Sequence, residues 1–406
     1  MQDQGRNKST LNYFKVLIFS SFLASANIYL PFTPSKIFGF GLTGYSWILV
    51  LIVSIYYLIS KNSNSKFKAT IWLPWMIFSI IYLIRNTNAV SLQGTVQSFV
   101  PILVGLVAGS LNYNLLDLKK ILKYFMYLII IIILSNTLLS YVRLGMVGYG
   151  SATDAHLTAI AVIVVFALYY SQKQFKYLIY YVLILIVPVV AVTRMGIFVL
   201  LVIPLIHFYQ ILNFKKILII LILIPISIYI FQLPAIQEKM FYTDSGTIQD
   251  LSYDNENLNT SGRKYVNDLM IEEVKKDPIW GKGARADYSI LKKNGLGINE
   301  THNDYLQLLI NFGILGTSIL FLTFILQCIN ITSIKINTLE QKIIRSIILT
   351  MQITLFFFML SDTIIRGTFD FMNYYFALIG MFYALNYQTR KNIRRNEQIT
   401  LSETKN

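Results

Sequence analysis

Histidine is scarce in this chain of 406 residues, where only His156, His207 and His302 occur. His302 stands just before the apolar run that begins at Tyr305, and His156 stands at the start of another apolar run. An imidazole has an unperturbed pKa of about 6.5, so its neutral form can accept a proton near neutral pH. Both positions are therefore candidates for acid–base chemistry, although a histidine at a helix start is more often structural than catalytic.

A second feature is the use of arginine at breaks between apolar runs. Arg143, Arg194 and Arg366 stand at such breaks, and Arg263 stands in the long polar stretch of residues 232–304. The planar guanidinium fork can hold phosphate oxygens through two parallel hydrogen bonds. These positions predict a phosphate-binding face. The alternative for each single arginine is a helix end whose long side chain reaches towards water.

The composition is that of a membrane protein. Hydrophobic residues make up 55% of the chain and charged residues only 14%, compared with about 25% charged residues in a soluble domain. The net charge of +15 comes largely from short basic clusters between apolar runs. That placement sets membrane topology and argues against a nucleic-acid partner.

Metal and cofactor chemistry have no motif in this sequence. The single cysteine, Cys328, lies inside an apolar run, which excludes a disulfide framework and a cysteine metal site. No cluster of histidine and carboxylate residues has metal-ligand spacing, and no phosphate-binding glycine loop occurs. We therefore expect neither a metal nor a cofactor, and the energy of any reaction should come from an activated substrate.

The hydropathy pattern predicts an all-α polytopic membrane protein with about twelve transmembrane helices. The predicted spans are residues 14–32, 45–60, 69–84, 97–112, 121–142, 155–171, 175–192, 194–211, 216–233, 305–330, 343–361 and 367–387. Lysine and arginine are concentrated on the side of both chain ends, so the positive-inside rule places the two termini in the cytoplasm.

Four parts follow from this topology. Helices 1–9 occupy residues 1–231, one large outer loop occupies 232–304, helices 10–12 occupy 305–387, and a cytoplasmic tail occupies 388–406. Outer loops of this size usually carry function. Within the loop, Val266, Met270 and Val274 recur at helical spacing before Pro278, which predicts a short amphipathic helix lying against the membrane domain.

The segment around His302 carries a recognisable motif. The sequence His-Asn-Asp-Tyr-Leu begins at His302, Leu309 follows, and Gly-Ile-Leu-Gly begins at Gly313. This pattern resembles the core motif of the O-antigen polymerase and ligase family of membrane glycosyltransferases, also called the Wzy type. It enters a predicted transmembrane helix directly after a large outer loop, as the motif of that family does.

Two further segments are similar to the same family. Ala-Val-Thr-Arg-Met-Gly at 191–196 resembles its small-residue, arginine and glycine segment at an outer helix start. Ser-Gly-Arg at 261–263, followed by Asp-Pro-Ile-Trp-Gly-Lys-Gly at 277–283, resembles its loop pattern. The order of the three segments and the predicted side of the membrane agree with the family from about Thr193 to Gly316.

The resemblance implies a role for each motif residue. His302 would be the base that deprotonates an acceptor hydroxyl, while Arg194 and Arg263 would bind the diphosphate of a lipid-linked donor. Further candidates on the predicted outer face are Arg143, Arg366, His156 and Asn303.

The function implied by the resemblance is a membrane glycosyltransferase of the bacterial inner membrane, with its site on the periplasmic or extracellular side. The donor would be a glycan on polyprenyl diphosphate, transferred with inversion and without a metal. A polymerase would add it to another lipid-linked repeat unit of an O-antigen or capsule, and a ligase to the core sugar of lipid A. Polymerase is slightly favoured, by the family alone. Membrane lipid and, for a polymerase, a chain-length regulator are further expected partners.

A lipid-linked oligosaccharide flippase is the alternative from another class. It could also have about twelve spans and buried arginines. A transporter should, however, show ionisable residues near span midpoints, whereas nearly all charges here fall at predicted span ends. It would also give no reason for a histidine motif joined to a large outer loop.

Overall fold

The computed structural model describes residues 2–29, 42–61, 64–113, 118–127, 130, 152–209, 214–252, 254–298, 300–366 and 371–403, and these residues form helices joined by loops. Its α-helices are α1 Gln2–Tyr29, α2 Leu42–Lys61, α3 Leu73–Leu83, α4 Ala89–Ser110, α5 118–127, α6 Ala152–Gln172, α7 Lys176–Val190, α8 Arg194–Tyr209, α9 Phe214–Phe231, α10 Pro234–Met240, α11 Arg263–Lys276, α12 Ala286–Lys293, α13 Asp304–Ser333, α14 Leu339–Phe358 and α15 Phe371–Glu403. The predicted all-α class is confirmed.

Among the described residues, four helices are long and apolar enough by themselves to cross a membrane. They are Ala89–Ser110, Ala155–Gln172, Asp304–Ser333 and Leu339–Phe358. A fifth span is formed if α9 and α10, which meet at an angle of 69°, are taken together. Several of the other predicted spans coincide with shorter apolar helices of 10–17 residues. The protein is thus an integral membrane protein, while the number of twelve spans and the outer position of residues 232–304 remain predictions.

The core of the bundle joins helices from both ends of the chain. α15 packs closely on α4, where a Cβ atom added to Gly380 would lie 2.3 Å from the carbonyl oxygen of Gly105. Beside this contact, the buried Trp72 ring lies 4.6 Å from the Phe376 ring. The Trp72 indole donates a 3.1 Å hydrogen bond to Gln327 on α13. Small residues thereby allow α15 to pack against α4, and a paired polar group joins α13 to the segment before α3.

The long polar stretch before α13 folds against that helix. α11 begins at Arg263 and ends at Lys276, where the amphipathic helix was predicted. Its buried residues Val266 and Met270 belong to one apolar cluster with Leu291 of α12 and Ile310 of α13. The apolar face of α11 therefore lies against the start of α13, as the hydrophobic periodicity indicates.

The glycine motifs at 281–283 and 313–316 meet in the tertiary structure. Residue Gly313 interrupts α13 with φ 64° and ψ −173°, a backbone conformation that suits glycine. The preceding loop pairs with this break, because the N–H of Ile314 donates to the carbonyl of Pro278 at 2.8 Å and the N–H of Lys282 donates to that of Ile310 at 2.7 Å. The loop and the histidine motif therefore form one rigid unit.

A Gly313→Ala substitution should destabilise the protein by about 2–4 kcal/mol, because the new Cβ would lie 2.1 Å from the carbonyl oxygen of Ile279. Thermal unfolding of the purified protein in detergent measures the loss. Gly295→Ala is the matched control, since Gly295 also has a positive φ, of 70°, but meets nothing within 4 Å. Equal losses in the two variants would show that the contact with residue 279 contributes nothing beyond backbone strain.

Candidate active site

His302 lies at the entrance to α13. Its backbone has φ 52°, in the left-handed region, and its side chain is 42% exposed. The next residue, Asn303, caps the helix by accepting a 3.2 Å hydrogen bond from the N–H of Leu306 through its side-chain oxygen. The structure therefore gives Asn303 a capping contact and leaves the imidazole of His302 accessible to a substrate.

A carboxylate that the sequence motif does not include joins two of the predicted histidines. Asp362, between α14 and α15, places Oδ1 at 3.7 Å from Nδ1 of His302 and Oδ2 at 3.0 Å from Nε2 of His156. The His156 side chain is only 4% exposed, and its ring packs edge-on against Phe358. The three side chains form a row from the interior towards the surface: His156, Asp362 and His302.

The segment that carries Asp362 is tied to the start of α13. The buried carboxylate of Asp304 accepts hydrogen bonds from the backbone N–H groups of Ile364 and Ile365, at 2.8 and 2.9 Å. In return, the N–H of Asp304 donates to the carbonyl of Met359 at 2.9 Å. The third residue of the histidine motif thus fixes the position of the aspartate that faces His302.

Asp362 is held in its charged form. Burial by itself would raise the pKa of this carboxyl, but the charge and hydrogen bond of His156, the nearby His302 and the hydrogen bond from the Thr363 N–H outweigh burial, so the pKa lies well below its ordinary value. A carboxylate at Nδ1 of an imidazole favours the tautomer that leaves Nε2 free to accept a proton. It also stabilises the imidazolium that forms afterwards.

We expect an Asp362→Asn variant to lose about 10²-fold or more in kcat, because a neutral amide neither holds the required tautomer of His302 nor stabilises its charged form. A transfer assay with a lipid-linked donor measures the loss.

Since the folded-state pKa of Asp362 is lowered, its ionic contacts stabilise the fold above the ordinary aspartate pKa and are lost as the pH falls through the folded value. The difference in Tm from the wild type should therefore shrink as the solution is acidified, and a difference independent of pH would contradict this role.

Arg366 has an acidic partner next to this row. Its Nη2 donates a hydrogen bond to Oε1 of Glu300, and the Thr363 hydroxyl donates to Oε2 at 2.7 Å. Burial raises the pKa of Glu300, although the Thr363 hydrogen bond and the charges of Arg285 and His302 oppose the rise. The Arg366 charge is thus matched by a neighbouring carboxylate and is less available to a phosphate than an unpaired arginine would be.

Three cations gather beside the start of α8. Arg194 and Arg263 lie close enough for their charges to interact, and both also act on Lys239 of α10. Arg194 donates from Nη1 to the carbonyl of Asn259 at 2.5 Å and from Nη2 to the hydroxyl of Ser261 at 2.9 Å. Within the part of the chain that the structure describes, neither arginine has a carboxylate in ion-pair contact. We call Arg194, Lys239 and Arg263 the cationic cluster.

Two helix N-termini meet at the cationic cluster. Arg194 is the first residue of α8, and Arg263 is the first residue of α11. Neither helix has an acidic residue in its first turn, and α11 has no side-chain cap at Gly262. Positive helix ends and arginine side chains together favour an anion with several oxygens, such as a diphosphate.

The cationic cluster and the histidine row lie at the same end of the helix bundle. A Cβ atom added to Gly196, two residues after Arg194, would lie 3.2 Å from the Cβ of Ala155. Ala155 is the neighbour of His156 in α6. The contact between α6 and α8 therefore places the predicted base region and the predicted phosphate region side by side.

The structure adds two site residues that the sequence patterns did not single out, Asp362 and Lys239. Asp362 is the only acidic residue of the break between the last two predicted spans and stands near Arg366 in the sequence, which is the signal that could have pointed to it. Of the predicted candidates, Arg143 lies outside the described residues.

The comparison with protein families agrees with the motif analysis. Residues 125–321 match the family model described as O-antigen ligase, and this range contains Arg194, Arg263 and His302. No curated protein matches the chain. Residues 125–321 are therefore similar to the O-antigen ligase family, and this similarity, together with the apolar helices, indicates an integral membrane protein with a role in the assembly of surface polysaccharide.

Proposed function

We propose that the protein transfers a glycan from polyprenyl diphosphate to a hydroxyl group of an acceptor sugar. The observation that carries the proposal is the juxtaposition of the His302–Asp362 pair with the cationic cluster at one end of the bundle. A base for the acceptor and cations for the departing diphosphate are the two groups that such a transfer needs. The site would act from the outer side of the bacterial inner membrane, with both chain termini in the cytoplasm.

In the proposed reaction, Nε2 of His302 accepts the proton of the acceptor hydroxyl. The hydroxyl oxygen attacks the anomeric carbon of the donor from the side opposite the diphosphate, so that the new C–O bond forms with inversion. The bond from that carbon to the diphosphate oxygen breaks, and the diphosphate leaves with the electron pair. Arg194 and Arg263 would stabilise its developing charge without a metal ion.

Arg194 has donor capacity for this role beyond its loop contacts. Two of its N–H groups hold Asn259 and Ser261, and the guanidinium carries further N–H groups on the same plane. The loop contacts would orient the fork towards the diphosphate before the substrate arrives. Such preorganisation is worth more in a partly buried site than in water.

Within this reaction we favour a polymerase, whose acceptor is a second lipid-linked repeat unit, over a ligase, whose acceptor is the core sugar of lipid A. The preference comes from the family rather than from a residue of the site. A chain-length regulator would be an additional partner of a polymerase.

The deciding experiment is the glycan profile of cells that lack this gene, with the lipid-linked pool measured by mass spectrometry. Single repeat units on lipid A would establish the polymerase. Long chains retained on polyprenyl diphosphate, together with bare lipid A core, would establish the ligase. Repeat units trapped on the cytoplasmic leaflet would overturn both and indicate a flippase.

A further inference from the structure

A small cavity lies beside the histidine row, between α3, α4 and the first turns of α13. Its volume is about 50 Å³, and Ile365 and Arg366 of the segment that carries Asp362 form part of its wall. One water molecule needs about 10–15 Å³ of such space, which is the volume open to the centre of a water-sized sphere. The cavity therefore has room for a substituent of a few heavy atoms and is too small for a whole sugar ring.

Most of the cavity wall is apolar. Trp75 of α3, Leu308 and Phe312 of α13, and Ile365 contribute this surface. A methyl or methylene group that enters the cavity would lose contact with water and gain contact with these side chains. The wall therefore favours a ligand group with an apolar end.

Two polar groups of the same wall lack partners. The Ser79 hydroxyl and Nη1 of Arg366 are buried and have no hydrogen-bond partner among the described residues. Buried polar groups in native proteins are normally satisfied, so each of these two groups, on residues that line the cavity, indicates a missing partner. A hydroxyl group and a guanidinium N–H can both donate to one carbonyl oxygen.

The charges around the cavity are balanced. Arg366 is hydrogen-bonded to Glu300, and Nη1 of Arg285 lies 3.8 Å from Oδ2 of the fully buried Asp287. An anionic group would therefore find no uncompensated positive charge here and would have to pay for its own dehydration. The electrostatics favour a neutral substituent over a carboxylate or a phosphate.

We infer that this cavity binds the acetamido group of an N-acetylated sugar in the acceptor glycan. The methyl group would lie against the wall formed by Trp75 and Phe312, and the carbonyl oxygen would accept hydrogen bonds from Ser79 and Arg366 once these two side chains turn towards the cavity. Arg366, which lines the cavity, and Asp362, which faces His302, belong to one short segment, so the sugar would bind in the neighbourhood of the proposed base. The assignment of the sugar to the acceptor rests on the proposed function, whereas the preference for an acetamido group rests on the cavity alone.

Ligand-observed saturation-transfer NMR on the purified full-length protein in detergent tests the inference. The probes are methyl N-acetyl-β-D-glucosaminide and methyl β-D-glucoside, which differ at the acetamido group. We expect the strongest transfer to the acetyl methyl protons and about tenfold weaker binding of the glucoside. Equal binding of the two glycosides would overturn the inference.

A variant that fills the cavity locates the binding. Ser98 lines the cavity, and its hydroxyl makes only a local hydrogen bond to the carbonyl of Thr95 in α4. Ser98→Leu should weaken binding of the N-acetyl probe about tenfold or more. Ser110→Leu is the matched control, because Ser110 lies on the same helix with the same kind of local bond, to Val107, and does not line the cavity. Unchanged binding in Ser98→Leu would overturn the inference.

Ser79→Ala serves if the filled variant does not fold, since it removes one donor with little change in volume. Ser79→Ala should weaken the binding of the N-acetyl probe and leave the binding of the glucoside unchanged. Equal effects on the binding of both probes would overturn the inference. Binding is measured here without transfer. Acetamido-dependent binding in a protein whose gene deletion gives the flippase pattern would overturn the proposed function alone.

Discussion

Replacing His302 by asparagine should leave a folded, membrane-inserted protein that transfers glycan about 10²–10⁴-fold more slowly than the wild type. The loss follows from the proposed role of His302, whose Nδ1 lies 3.7 Å from Oδ1 of Asp362 and whose Nε2 would accept the acceptor proton. Initial rates with a lipid-linked donor and an excess of acceptor measure the effect. The change should fall on kcat, because the base acts in the transition state.

Asparagine is chosen because the backbone of His302 has φ 52°. Asparagine adopts this left-handed region readily, whereas His302→Ala would add about 1 kcal/mol of backbone strain. An alanine variant that is inactive beside a fully active asparagine variant would assign His302 a backbone role. Full activity in both variants would remove His302 from the reaction.

The second large effect is expected at Arg194. Arg194→Ala should lower kcat by about 10²–10³-fold, because the charge of the departing diphosphate develops in the transition state. Arg194→Lys should also be poor, since an ammonium group cannot reproduce the fork that reaches Asn259, Ser261 and a phosphate together. The same transfer assay gives both values.

Ser261→Ala separates anchoring from phosphate binding. It removes the contact of Ser261 with Nη2 of Arg194 and retains the arginine. If Arg194 acts on the diphosphate, Ser261→Ala should keep most of the activity that Arg194→Ala loses. Equal losses in Ser261→Ala and Arg194→Ala would show that the arginine serves only to hold the loop before α11. Full activity in Arg194→Ala would remove it from both roles.

The tertiary structure extends the His302 motif in a way that explains its other residues. Asn303 caps α13, Asp304 holds the segment of Ile364 and Ile365, and Gly313 receives the loop that contains Pro278. The motif thus contains one exposed imidazole, the proposed base, and several residues that position it. Spacing along the chain does not separate these roles, because capping, anchoring and catalysis all use polar residues near a helix start.

Local patterns in the sequence were sufficient for several parts of this protein. Hydropathy predicted the helical membrane class. The helical spacing of Val266 and Met270 predicted the position of α11, because burial against a neighbour imposes the helical period on a segment. The resemblance of the three motifs to the family also implied that Arg194 and Arg263 serve one site. Each of these signals lies within a few turns of one helix or loop.

The partners of the site residues were decided by the fold. Asp362 reaches His302 and His156, and Glu300 reaches Arg366, only because α6, α13 and the segment before α15 converge at one end of the bundle. Charge balance around an arginine likewise depends on neighbours that are distant in sequence. Residue types and local spacing determine which chemistry a segment can carry. The pairing of those segments arises from long-range packing and hydrogen bonding, and only the folded chain determines it.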